Sequence, residues 1–111
     1  MDLTKIETVI TQIFTELTPP NNRLGTLEYN WIMDSTRKHY QLLLEGWDGN
    51  TRILDILVQI DLKNNLLWLQ EDNTDYGVAE ALERAGIPKE SIVLGFHAPY
   101  KRPFTGFATG E

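Results

Sequence analysis

Four consecutive segments between residues 27 and 70 alternate apolar with polar side chains, and short polar turns separate them. Alternation with a period of two is typical of β-strands that turn one face towards a core. The Asp48-Gly49 pair favours a tight hairpin turn, because both residues tolerate the positive φ angles that such turns need. Lys63-Asn64-Asn65 is a second turn of this kind. The sequence therefore predicts a four-stranded antiparallel meander with strands at residues 27–34, 39–47, 52–62 and 66–70.

The third of these strands is the longest, and its pattern assigns its two faces. Alternation predicts a core-facing row and an opposite, more polar row that includes Asp55, Gln59 and Asp61. The predicted core-facing row is Leu54, Ile56, Val58, Ile60 and Leu62.

Helical periodicity appears on both sides of the strand region. Residues 2–17 carry an apolar stripe at helical spacing, with Asp2 or Thr4 as the expected cap and Pro19-Pro20 as the end. The stripe consists of Leu3, Ile6, Ile10, Ile13, Phe14 and Leu17. Residues 74–85 predict a second helix that is capped by Asn73 or Thr74 and ended by Gly86.

A short strand at residues 92–94 and an aromatic, proline-rich tail at residues 95–111 complete the chain. Strands grouped together between helices are typical of the α+β class. We therefore expect residues 1–111 to form a single α+β domain, with both helices packed against an antiparallel sheet.

Composition narrows the function. The 111 residues contain no cysteine, which excludes disulfides, thiolate zinc sites and a cysteine nucleophile. The beginning of the sequence lacks the pattern of a signal peptide and no apolar run is long enough to span a membrane, so we expect a cytoplasmic protein. A net charge of −6 argues against direct binding of this chain alone to a nucleic-acid backbone.

A set of residues from Asp34 onward keeps a characteristic order along the chain, and residues 92–97 are its most distinctive stretch. The set is Asp34, Thr36, Arg37, residues 39–42, Gly46, Trp47, Ile60, Asp61, Lys63, Leu66, Trp68, Gln70, residues 73–75, residues 77–79, Leu82, residues 86–89, residues 92–97, Pro99, Arg102 and residues 105–108. In these residues and their order the chain resembles the XisI family.

The resemblance implies the role of a controlling factor in excision of the fdxN element during heterocyst differentiation in cyanobacteria. It implies action beside a site-specific recombinase and an XisH-like partner protein, itself similar to nucleases. Together with the lack of a recognisable catalytic motif, it indicates a non-enzymatic protein that needs no cofactor and no metal.

The tail holds the residues that we predict to bind a partner. Aromatic residues with arginine are enriched where protein interfaces gain most of their energy, and prolines stiffen a segment before it binds. The predicted partner-binding residues are His97, Tyr100, Lys101, Arg102 and Phe104. Phe96 and Phe107 are expected to fold back and complete the core.

Other interpretations stay open on the sequence. Arg23, Arg37, Lys38, Lys101 and Arg102 could form a nucleic-acid patch, and an exposed sheet edge could support a homodimer. A hydrolase would use Asp61, Glu71 or His97. Glu71, Asp72 and Asp75 could hold a metal ion, although helix capping explains them better. His39 is expected to be exposed to solvent.

Overall fold

Six strands form one sheet in the computed structural model, which describes residues 2–111. Strands follow one another in the sheet in sequence order, and two α-helices and two short 3-10 helices complete the structure. The elements are α1 (Leu3–Leu17), β1 (Arg23–Leu24), β2 (Leu27–Asp34), β3 (His39–Asp48), β4 (Thr51–Lys63), β5 (Leu66–Asp72), α2 (Val78–Arg84), the 3-10 helix Lys89–Ser91, β6 (Ile92–Leu94) and the 3-10 helix Pro99–Phe104.

The α+β class is confirmed, but the four-stranded antiparallel meander is incomplete as a description of the sheet. Strands β2 to β5 pair antiparallel, as predicted. Strand β1 extends the sheet beyond β2, and β6 pairs with β5 in parallel. Two residues are too few for β1 to show periodicity, and the crossover through α2 brings β6 back in the direction of β5.

The first helix begins where the sequence places it. Asp2 is the cap: its carboxylate accepts hydrogen bonds from the backbone N–H groups of Thr4 and Lys5, at 3.0 and 3.4 Å. The apolar stripe of α1 packs on one face of the sheet, and α2 packs on the same face. The residues of α1 that are buried there are Ile6, Val9, Ile10, Ile13 and Phe14.

The second helix is shorter than predicted, and the caps predicted at Asn73 and Thr74 are wrong. It begins at Val78, and Gly77 occupies the cap position with a φ of 78°. A residue without a side chain tolerates this conformation but offers no capping group. Asp72, six residues before Val78, supplies the capping acceptor instead, because its carboxylate accepts the Val78 N–H at 3.1 Å. Capping therefore explains Asp72.

A β-bulge in β4 reverses the predicted faces of its first half. Leu42 of β3 pairs with Val58, whereas Leu43 pairs with Ile56, so Leu57 is the extra residue. An extra residue moves every side chain before it to the other face of the sheet. The prediction that Leu54 and Ile56 share the face of Val58 is wrong, and Leu54 is 62% exposed.

We call the sheet face that packs against α1 and α2 the core face, and the opposite one the outer face. The outer face carries Asn30, Ile32, Gln41, Leu43, Leu54, Ile56, Gln59, Asp61 and Trp68, because strand-paired residues point the same way. None of the helices formed by residues 2–111 combines the length and apolar character that crossing a membrane requires.

Candidate functional site

The tail predicted to bind a partner is fixed against the β5–β6 edge of the sheet. The backbone N–H of Gly95 donates to the Leu69 carbonyl at 2.8 Å, and that of Ala108 donates to the Ile92 carbonyl at 2.8 Å. Ala108 forms a bridge with Val93, so the returning tail covers part of the outer edge of β6. These backbone bonds hold the tail in a defined place.

Trp68, on the outer face, is the residue against which the tail packs. Trp68 and Val93 are buried although they lie outside the main core. Gly110 packs on the Trp68 ring with a φ of 89°, and any side chain there would collide with the indole. The Lys63 ammonium lies 4.3 Å and the Arg102 guanidinium 5.2 Å from the ring centroid. The indole is therefore enclosed by cationic side chains and backbone.

Arg102 turns inward and organises the tail. Its guanidinium donates to the carbonyls of His97, at 3.0 Å, and Gly95, at 3.4 Å. These two bonds and the contact on Trp68 hold the Arg102 side chain against the protein. His97 is partly buried, and its ring lies 4.7 Å from that of Phe96. We infer that Arg102 shapes the tail through the backbone carbonyls of Gly95 and His97.

The remaining predicted partner-binding residues point outward from the 3-10 helix Pro99–Phe104. Tyr100 is 72% and Phe104 is 88% exposed. Lys101 is exposed as well, and its ammonium lies 5.8 Å from the Tyr100 ring centroid. Phe107 is partly buried against the core, as expected, but the same expectation for Phe96 is wrong, since it is 47% exposed. We call Phe96, Tyr100, Lys101 and Phe104 the tail surface.

A polar network on the outer face lies beside Trp68. Asp61, directly across from Trp68 in the sheet, is nearly buried, at 9% exposure. Its carboxylate contacts Nδ1 of His39 at 2.9 Å and accepts bonds from the amides of Gln59, at 3.4 Å, and Gln70, at 3.2 Å. The ring of His39 is exposed, as expected, but its pairing with Asp61 is a contact that the sequence did not indicate.

The residues named for a hydrolase do not form one site. Asp61 is engaged in the network just described, Glu71 accepts a hydrogen bond from Asn73 at 3.2 Å, and His97 lies in the tail. No hydrogen bond or ion pair in the described chain joins these three. Nor do residues 2–111 bring together three side chains able to hold a metal ion.

The basic residues considered for a nucleic-acid patch are dispersed. Arg23 at the β1 edge pairs with Glu28 at 3.8 Å, and Arg37 in the β2–β3 turn pairs with Asp34 at 3.5 Å. Arg102 lies on Trp68 of β5, with β3 and β4 between it and β2. The five residues therefore do not make the continuous positive stripe that a phosphate backbone would need.

Comparison with known proteins agrees with this geometry over almost the whole chain. The model of the family described as "XisI protein" matches residues 1–109. A crystal structure of a XisI-like protein from Anabaena variabilis is 36% identical, covers 96% of this chain and 98% of its own, and superposes with a TM-score of 0.87. The crystal structure of the fdxN element excision controlling factor XisI from the same organism is 34% identical, with coverages of 97% and 98% and a TM-score of 0.83.

A comparison with curated proteins gave no match. The family model nevertheless spans every element from α1 to the second 3-10 helix, and each crystal structure covers at least 96% of the chain. Identity above 30% over nearly the full length, with the same fold, leaves one conclusion: the chain belongs to the XisI family.

Proposed function

We propose that the chain is a non-enzymatic controlling factor that binds a protein partner through its tail surface. The partner is an XisH-like protein, and the complex permits or restrains excision of a DNA element by a site-specific recombinase. A relative with 34% identity is described as the fdxN element excision controlling factor XisI, which supports the role.

One observation carries the binding surface. Phe104 is 88% and Tyr100 is 72% exposed, although both stand on a tail that backbone bonds and Arg102 hold in place. A large aromatic side chain in water gains free energy when a partner covers it, and a fixed backbone lowers the entropy lost on binding. Lys101 between them adds a positive charge that suits an acidic rim on the partner.

The outer-face network supports binding over chemistry. The carboxylate of Asp61 already contacts His39, Gln59 and Gln70, and within residues 2–111 no nucleophilic side chain is hydrogen-bonded to the His39 ring. A general base needs a reacting group within hydrogen-bond reach. The network is better suited to fixing the strands beneath Trp68, on which the tail rests.

Co-purification and titration calorimetry with an XisH-like protein from the same genome test the proposal. We expect a complex at micromolar concentration, and we expect Phe104→Ala and Tyr100→Ala each to weaken it by about thirtyfold, the effect of losing an interface hot spot of roughly 2 kcal/mol. Melting curves should stay near those of the wild type, because both side chains are exposed.

Trp47→Ala is the matched control. Trp47 is an aromatic residue that is 54% exposed, but it stands at the β3–β4 hairpin, far along the sheet from the tail. It should leave the affinity unchanged. If the wild type forms no complex with the XisH-like protein, the proposal is wrong. If Trp47→Ala weakens the affinity as much as the tail variants do, the binding surface is not confined to the tail.

A further inference from the structure

The outer edge of β2 is unpaired along part of its length. Strand β1 pairs only with Leu27 and Glu28. Tyr29, the next residue of β2, forms its edge hydrogen bonds with Asn22, which precedes β1. The Asn22 carbonyl accepts the Tyr29 N–H at 3.1 Å, and the Asn22 side-chain amide donates to the Tyr29 carbonyl at 2.9 Å. Beyond Tyr29, no strand among residues 2–111 pairs with this edge.

The bonds of Tyr29 show which backbone groups are available. Both polar backbone groups of Tyr29 point away from β3, so alternation along the strand directs those of Trp31 and Met33 the same way. The free edge therefore consists of residues 30–34, with outward donors and acceptors at Trp31 and Met33. Ile32, midway between them, is 45% exposed on the outer face.

We propose that this free edge pairs with the same edge of a second copy of the chain, in antiparallel register about a twofold axis at Ile32. In that register Trp31 lies opposite Met33 of the second copy, and each such pair exchanges both of its backbone hydrogen bonds. The edge thus provides four hydrogen bonds without displacing Asn22 from Tyr29.

Side chains favour this register over its neighbours. On the outer face Ile32 meets its own copy, and the Asn30 amide lies opposite the carboxylate of Asp34. The amide already donates one N–H to Glu45 and the carboxylate already accepts two backbone N–H groups, but the second amide N–H and the remaining lone pairs of the carboxylate allow a further hydrogen bond. A twofold axis at Trp31 would require the Tyr29 groups that Asn22 already occupies, and it would set Asp34 against Glu28. Like charges directly opposite each other destabilise a strand pair.

The length of the free edge also fits a second copy. In the proposed register the second strand reaches only as far as its Asp34, which lies opposite Asn30. Its chain then enters the turn at residues 35–38 and moves away towards β3, before it would meet Asn22. An edge whose donors, acceptors and end points are symmetric about one residue is self-complementary, as a twofold interface requires.

Disulfide trapping tests the register, because the natural chain contains no cysteine. In a non-hydrogen-bonded antiparallel pair the two Cα atoms are about 4.5 Å apart, which a disulfide can bridge. We expect Ile32→Cys to form a covalent dimer on mild oxidation, and its sedimentation before oxidation to show a reversible dimer.

Asn30→Cys is the matched control on the same strand and face. Its thiol would lie four residues from its own copy, or roughly 14 Å along the strand, and should not cross-link. Ile32→Lys sets two ammonium groups against each other, and we expect it to raise the dimer dissociation constant by about tenfold or more. Leu54→Lys places a lysine on the same face but on β4, and it should leave the dimer dissociation constant unchanged.

A wild-type protein that sediments as a monomer at the highest concentration it tolerates would overturn the proposal. So would equal cross-linking of the Ile32→Cys and Asn30→Cys variants, which would indicate random collision. A monomer that instead binds an added extended peptide at β2 would show that the edge serves a foreign strand.

Discussion

Tyr40 has the largest fully buried side chain of the core, yet it ends in a hydroxyl group. That hydroxyl donates to the Glu7 carboxylate of α1 at 2.7 Å, and the same carboxylate accepts a hydrogen bond from Ser35 at 2.5 Å. Burial, and then the bond to Glu7, raise the pKa of Tyr40 well above its usual value. One buried side chain thereby joins the first helix to the sheet.

This environment makes stability depend on alkaline pH. Below about pH 10 Tyr40 is neutral in both the folded and the unfolded chain, so its contribution is fully present. Above that pH the unfolded chain releases the proton first, and stability falls as the pH rises towards the folded pKa. We expect Tyr40→Phe to lower the free energy of unfolding by about 1–3 kcal/mol at neutral pH, and to flatten the alkaline decline.

Urea unfolding between pH 7 and pH 11 measures both effects. Tyr100→Phe is the control, because it removes a hydroxyl from a side chain that is 72% exposed. It should match the wild type throughout. An alkaline decline that is as steep in Tyr40→Phe as in the wild type would assign the decline to other groups.

At the scale of elements, α2 depends on a residue outside it. Its cap position holds Gly77, so Asp72 at the end of β5 supplies the anionic acceptor for Val78. The same carboxylate accepts the Thr74 N–H at 3.0 Å and thus also shapes the connecting loop. A negative charge at the beginning of a helix is also favourable with respect to the helix dipole.

We expect Asp72→Ala to lower the free energy of unfolding by about 1–2 kcal/mol, the usual cost of losing a helix cap. Thermal unfolding followed by circular dichroism measures it. Asp75→Ala removes the same charge from an exposed residue in the following loop and should cost much less. Equal losses in the two variants would show that net charge, and not the cap, governs this region.

Sequence periodicity predicted the elements that are long and regular. Helix α1 and strands β2 to β5 were found because each repeats its pattern over several residues. Strand β1 has two residues and therefore carries no period. The parallel pairing of β6 depends on where the α2 crossover leaves the chain, which local pattern does not encode.

The bulge at Leu57 explains why the outer-face network was missed. Asp48 pairs with Thr51 at the hairpin. In a regular ladder without a bulge, counting from that pair along both strands would place His39 opposite Ile60. The extra residue moves His39 opposite Asp61, where the imidazole meets the carboxylate. Composition identified the tail as a candidate surface, but the inward turn of Arg102 depends on Trp68, a residue distant in sequence.

At the scale of the whole molecule, the two proposed surfaces occupy opposite ends of the sheet. The tail rests on β5 and β6, whereas the free edge belongs to β2. Four strand spacings separate β2 from β6, or roughly 19 Å. A dimer joined at β2 would therefore carry its two tail surfaces outward, one at each end of a continuous sheet, and could engage two partner molecules.

Distance predicts that the two surfaces act independently. Changes more than about 10 Å apart with no shared contacts usually add to within about 0.5 kcal/mol. We therefore expect Ile32→Lys to weaken dimerisation without changing the affinity for a monomeric partner in solution, and Phe104→Ala to do the reverse. The double variant should show both losses, each equal to that of the single variant. Sedimentation and calorimetry on the four proteins complete the cycle, and weaker binding of the partner by Ile32→Lys alone would mean that dimerisation and partner binding share a surface.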